Sequence, residues 1–182
     1  MSTYGQPAMY SGEYYDSRTE ATWAAYFDIV GIPYQHEPAR FKLPVQNYPY
    51  TPDFRLYDDI YAEIKNGNID PQVALRAHYL ARSFGRTVLL IDGMPINMTV
   101  YVFGGHTTKK PDFNRLTLNF ARDLADYTYY FRPNVVNPSV DTKIIMEAAK
   151  VAQQCITLDI DEDVRMAAKT RKQALIPKVL EL

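Results

Sequence analysis

Asp53, Glu63 and Lys65 are the residues of this chain whose types and spacing suit a reaction: two carboxylates with nine residues between them, and an ammonium two positions beyond the second. Their setting is the stretch from Tyr50 to Lys65. Tyr50, Pro52, Phe54 and Leu56 alternate with Thr51, Asp53 and Arg55, and Ile60, Ala62 and Ile64 alternate with Tyr61, Glu63 and Lys65. Both runs have the two-residue period of a half-buried strand, and Asp58-Asp59 between them suits a turn. A hairpin turning about Asp58 places Asp53 across from Glu63 and Thr51 across from Lys65, with directly opposed Cβ atoms ~4.5–5.5 Å apart. Opposed carboxylates repel unless a positive charge lies between them. A hard divalent cation such as Mg²⁺ takes oxygen ligands, keeps several waters, and needs only one or two carboxylates where phosphate is processed. Lys65 is then in place to orient or help deprotonate an attacking water, or to neutralise charge on a phosphate. The same pattern also suits a solvent-facing hairpin with ordinary surface ion pairs, and residue types alone leave both readings open.

The elements that must position these groups follow in chain order. Ser17 and Glu20 form a capping box at the head of a helix from Ser17 to Val30, with Gly31 and Pro33 as its stop. Trp23, Ala24, Phe27 and Val30 make its apolar stripe, and Glu20, one turn before Trp23, lies on that same inward side. A core-side carboxylate suits either the cap or a place in the acidic cluster. Ile32 to Phe41 is a candidate first strand, in which Glu37 either faces the cluster or pairs with Arg40 on the surface. After Lys65, Asn66-Gly67-Asn68 turns the chain into a second helix, capped by Asp70, with Pro71 at its first position and Gly85 at its end. Val73, Ala77, Leu80, Ala81 and Phe84 make its apolar face. Gln72 and Arg76, near its start, suit a phosphate contact or plain solvent exposure. Thr87 to Ile91 is an aliphatic strand of the kind buried on both faces, and Thr99 to Phe103 is a further strand.

This α-β-β-β-α-β order, with the motifs on it, resembles the core of the PD-(D/E)xK nuclease superfamily, and in particular small nuclease-like proteins encoded by phages and other mobile elements. The residues that carry the resemblance are Ser17-Arg18-Thr19-Glu20-Ala21-Thr22-Trp23-Ala24, Gly31-Ile32-Pro33-Tyr34, Pro52-Asp53-Phe54 and Glu63-Ile64-Lys65-Asn66-Gly67. Ile64 stands where those relatives have Val, and Asn66 is inserted before Gly67; neither change removes a functional group. The resemblance spans about Ser17 to Gly105. It implies an α/β fold with a restriction-endonuclease-like core, a central mixed sheet flanked by helices. It implies further that Asp53 and Glu63 bind Mg²⁺ or Mn²⁺, that Glu20 completes the acidic cluster, and that Lys65 assists the nucleophilic water. The expected activity is metal-dependent hydrolysis of DNA phosphodiester bonds by a phage- or mobile-element-encoded endonuclease, a reading that includes homing-type enzymes and resolvases of branched DNA without choosing between them. A homodimer or higher symmetric oligomer suits cleavage of both strands. The alternative is a nucleic-acid-binding or assembly protein that keeps the fold without turnover.

Around this core, residues 1–16 are rich in Tyr, Ser and Gly without a helical or strand period and read as a flexible arm, whose tyrosines either stack on bases or fold back onto the domain. Residues 106–182 read as a mainly helical extension: Asn119 to Tyr130 as a helix, Arg132 to Pro138 as a linker, and Asp141 to Gln154 as an amphipathic helix with Ile144, Ile145, Ala148, Val151 and Ala152 on its apolar side. In a last helix, from Asp163 to Ala174, Arg165, Lys169 and Lys172 share one face that suits either a nucleic-acid backbone or simple dipole complementarity. Lys110-Pro111-Asp112-Phe113 repeats the Pro-Asp pair, but no Glu-x-Lys follows, so it reads as a loop. The net charge of −1 gives no global attraction to nucleic acid, so any basic surface is local. The single cysteine, Cys155, excludes an intramolecular disulfide, and no apolar run reaches membrane-spanning length; a soluble, cytoplasmic protein is the expectation. His36, His78 and His106 lack zinc-site spacing, Gly104-Gly105 lacks the Lys-Ser/Thr of a phosphate-binding loop, and there is no Gly-x-Ser-x-Gly.

Overall fold

The computed structural model describes residues 5–44, 49–57, 60–67, 69–95, 97–104, 142–158, 160–164, 166–167, 170 and 179–180. Both expected helices start and stop on their own caps. Ser17 accepts the Glu20 amide at the head of α1 (Arg18–Val30), and Gly31 ends it in the left-handed conformation at φ 72°. Asp70 accepts the Gln72 amide at the head of α2 (Pro71–Phe84), and Gly85 ends it at φ 63°. A residue with a Cβ would be strained at either C-cap.

Between and after the helices lie β3 (Tyr34–His36), β4 (Arg40–Phe41), β5 (Phe54–Leu56), β6 (Ile60–Lys65), β7 (Thr87–Met94) and β8 (Asn97–Phe103). Five of them form one mixed sheet in the order β3-β5-β6-β7-β8. The β6–β7 pair is parallel, connected by α2, and the other three pairs are antiparallel. The chain is thus an α/β fold with a mixed five-stranded sheet flanked by helices.

The central strands are buried on both sides. Ala62 and Ile64 of β6 and Ile91 of β7 pack with Trp23, Ala24 and Phe27 of α1 in one cluster. Tyr61 of β6 and Val88 and Leu90 of β7 pack with Val73, Ala77, Leu80 and Ala81 of α2 in the other. The continuous aliphatic run of β7 predicts this directly. For β6 the expectation of a half-buried strand is corrected: Tyr61, Ala62, Glu63 and Ile64 are all buried. Alternation of polar and apolar types signals a solvent face only where water is the other neighbour, and here α2 takes that place.

Three further segments differ from their sequence reading. Residues 8–15 are not an irregular arm: β1 (Ala8–Tyr10) and β2 (Glu13–Tyr15) pair as a hairpin against α1, with Tyr14 and Tyr15 buried. The tyrosines therefore fold back onto the domain; Tyr4 lies outside the described residues. Helix α1 is buried almost all round, from Thr19 to Phe27, rather than along one stripe, because the sheet, the β1–β2 hairpin and α3 (Thr142–Gln154) surround it. Ala21, Ala24 and Ala25 make such close approach possible. On α3, Ala148, Ala149 and Ala152 are buried against this cluster, whereas Val151 is exposed. A short strand β9 (Val179–Leu180) pairs in parallel with β4. The predicted helix at 119–130, the linker at 132–138 and the second Pro-Asp pair lie outside the described residues. Among the described residues no helix is long and apolar enough to cross a membrane.

Candidate active site

Asp53, Glu63 and Lys65 meet at one end of the sheet. Phe54 pairs with Ala62 and Leu56 with Ile60, so the register, extended by one residue, sets Asp53 opposite Glu63, as a turn about Asp58 predicts. The strand itself stops at Phe54. Asp53 Oδ2 accepts the Ile64 amide at 2.6 Å, a bond that a continuing ladder would direct to a main-chain carbonyl. The Asp53 carbonyl in turn accepts the Glu37 amide at 2.8 Å. Asp53 is therefore held by both its side chain and its main chain. Tyr50 and Thr51, expected in the same strand, lie beyond it, and Tyr50 pairs instead with Phe41 through reciprocal main-chain bonds of 2.7 and 2.8 Å.

Lys65 links the two carboxylates. Its Nζ is 2.8 Å from Glu63 Oε1, 3.7 Å from Asp53 Oδ2 and 2.8 Å from the Ile64 carbonyl oxygen. Glu63 Oε2 accepts the Tyr50 hydroxyl at 2.6 Å. Burial opposes the charge of Lys65, but the Asp53 and Glu63 carboxylates outweigh it and hold the pKa above the ordinary lysine value. Asp53 is pushed well above the usual carboxylate range by burial first and the Glu63 charge second, with Lys65 and the Ile64 amide opposing.

Glu20 enters from the N-terminus of α1. Its amide is the one Ser17 caps, and the Ser17 hydroxyl donates to Glu20 Oε1 at 2.7 Å, so the carboxylate shares in the cap. Both roles that the sequence leaves open are therefore compatible. Burial raises the pKa of Glu20, while Ser17, His36 and Lys65 act against that rise, and Asp53 in turn feels the Glu20 charge. The indole Nε1 of Trp23 donates to the Gly93 carbonyl at 2.9 Å, which ties α1 to the end of β7 and keeps Glu20 at this end of the sheet.

The three oxygens around the Lys65 ammonium, one each from Asp53 and Glu63 and one from the Ile64 carbonyl, are the hard donors that a Mg²⁺-sized cation prefers. The ammonium acts as a stand-in ion, and the residues fit a divalent cation bound by few protein ligands and several waters. Among the described residues no group of three or more His, Cys, Asp or Glu side chains forms a metal site. Glu20 bears on this pair through its charge, which Asp53 feels.

The remaining candidates divide. Arg76 does reach the site, with its guanidinium 5.7 Å from the centroid of the Tyr50 ring. Gln72 is exposed at the start of α2. Glu37 contributes through its main chain, at a left-handed φ of 43° that costs a non-glycine residue on the order of 1 kcal/mol or more. Arg165, Lys169 and Lys172 lie outside the described residues. Sequence reasoning misses two contributors: the Ile64 carbonyl, since main-chain atoms leave no residue-type signal, and Tyr50, since strand alternation puts it on the face opposite Asp53. An interruption at Pro52 is the signal that could have separated Tyr50 from that strand. No family model matches this chain, and no curated protein or solved structure is significantly similar to it.

Proposed function

We propose that the chain is a Mg²⁺- or Mn²⁺-dependent DNA endonuclease with a restriction-endonuclease-like core, in keeping with its resemblance to PD-(D/E)xK proteins of phages and mobile elements. The observation that carries this reading is the Asp53–Lys65–Glu63 arrangement: two carboxylates on adjoining chain segments, with one ammonium 3.7 and 2.8 Å from them, at a sheet end that Glu20 also approaches. A surface ion pair requires no such burial, and Glu63 is only 4% exposed.

Asp53, Glu63 and the Ile64 carbonyl would hold the cation. Bound there, it supplies Lewis-acid stabilisation of a phosphate and a water of lowered pKa. Lys65 would orient or help deprotonate the attacking water, or neutralise charge on the phosphate. Arg76, over the Tyr50 ring, would supply a phosphate contact beside the cluster. Glu20 adds negative field at Asp53 and so favours a cation there.

The decisive experiment incubates the purified protein with supercoiled, linear, single-stranded and four-way-junction DNA, with Mg²⁺, Mn²⁺ or chelator, beside Lys65→Ala. Metal-dependent cleavage that the variant lacks is the expected result, and the preferred substrate names the kind of nuclease. The second reading, a binding or assembly protein without turnover, is favoured by the pairing of both carboxylates with Lys65, which satisfies their charge without an ion. In that case calorimetry finds no divalent-ion affinity that depends on Asp53.

A further inference from the structure

We infer that Tyr50 is a positioning residue that restricts Glu63 to one-oxygen ligation and thereby sets the preference of the site for Mg²⁺ over Ca²⁺. This inference rests on the metal-site reading above. The two oxygens of Glu63 are held by different partners: Oε1 by Lys65 at 2.8 Å and Oε2 by the Tyr50 hydroxyl at 2.6 Å. Only Oε1 shares the Lys65 side with Asp53 and the Ile64 carbonyl. The Tyr50 hydroxyl cannot readily follow if Glu63 swings round. Tyr50 is 6% exposed, its main chain is paired to Phe41 on both its amide and its carbonyl, and Arg76 lies over the face of its ring. Turning both Glu63 oxygens to an ion would leave a buried hydroxyl without its acceptor, which is unfavourable.

Ion chemistry converts this restraint into selectivity. Mg²⁺ demands near-octahedral geometry and suits a carboxylate that gives one oxygen, whereas Ca²⁺ takes six to eight oxygens and gains from a carboxylate that gives two. A Glu63 fixed by Tyr50 is therefore pre-organised for the smaller ion and denied the bidentate mode to the larger.

The test is titration calorimetry of the full chain with MgCl₂ and CaCl₂ alone, for the wild type and Tyr50→Phe. In the variant Mg²⁺ binding is expected to weaken about tenfold, as for loss of a hydrogen bond to a charged group, while Ca²⁺ binding holds or tightens. The ratio Kd(Ca²⁺)/Kd(Mg²⁺) falls accordingly. A purely structural tyrosine would shift both ions together, so an unchanged ratio overturns the inference and leaves the metal site standing. Wild type that binds neither ion removes the metal-site reading itself, and the role of Tyr50 with it. If Tyr50→Phe does not fold, infrared spectra of the wild type decide. A bidentate carboxylate signature on Ca²⁺ addition, absent from Glu63→Gln, contradicts the inference, and its absence from the wild type with Ca²⁺ bound supports it.

Discussion

The β5–β6 and β7–β8 hairpins belong to one sheet and are both antiparallel, but they are built for different ends. β7 and β8 pair continuously from Val88 with Phe103 to Met94 with Asn97, with Val88, Leu90 and Phe103 fully buried. β5 pairs with β6 only from Phe54 to Leu56, and at its open end a carboxylate replaces the next ladder bond. The β7–β8 hairpin uses its buried positions for apolar packing, which is favourable in itself. The β5–β6 hairpin buries Glu63 and most of Asp53 beside Lys65, an arrangement whose desolvation cost is offset only in part by the attraction between the charges. The contrast teaches that stability at this end of the sheet is given up locally and supplied by the neighbouring strands.

Substitutions in the two hairpins should therefore fail in opposite ways. The largest effect is expected at the charged end: Asp53→Asn and Lys65→Ala lower cleavage by on the order of 10²–10³-fold or more, as loss of a group that stabilises developing charge does, with circular dichroism unchanged. Variants that still cleave at the wild-type rate would break the comparison at once. Leu90→Ala, in the other hairpin, is expected to cost ~2–5 kcal/mol in urea unfolding, while the turnover per folded molecule stays near wild type. A loss of less than ~1 kcal/mol would mean that the β7 core is not the anchor we describe.

Two smaller effects sharpen the same contrast. Ser17→Ala removes the cap of α1 and one partner of Glu20, and should cost ~1 kcal/mol in the same assay. An intact stability would show that the cap is dispensable because α1 is buried on nearly all sides. The last effect is one of pH. The folded pKa of Asp53 lies above its ordinary value, so the folded metal-free protein holds this proton more tightly than the unfolded chain. This group's contribution to stability accordingly declines as pH rises from the ordinary carboxylate range through the folded pKa. Asp53→Asn should then be more stable than metal-free wild type at neutral pH, with the advantage vanishing on acidification below about pH 4. Adding Mg²⁺ should stabilise the wild type and not the variant. Denaturant midpoints across pH, with and without Mg²⁺, measure both, and parallel pH curves for the two proteins would contradict the assigned shift.

Much of the framework is legible from local rules. Ser17 with Gly31 and Asp70 with Gly85 bound their helices because an N-cap needs a short polar acceptor and a left-handed C-cap favours glycine. The opposition of Asp53 and Glu63 follows from the two-residue period and a turn about Asp58. The aliphatic run of β7 declares its burial on both faces. These features depend on neighbours in sequence.

What the tertiary structure alone decides depends on which side chains come together from distant segments. A Tyr-rich start reads as an arm until β1 and β2 find α1 to cover, and alternation in β6 reads as half-exposed until α2 covers its second face. Tyr50 is assigned to the wrong face by parity because the chain breaks at Pro52 and hands it to Phe41 instead. Its hydroxyl then reaches Glu63 across 13 residues of sequence. Residue types and spacing determine which groups can carry charge and where the chain turns. Burial, which raises the Asp53 pKa, and the partner of each Glu63 oxygen are properties of the assembled layers, because only they exclude water and bring distant segments together.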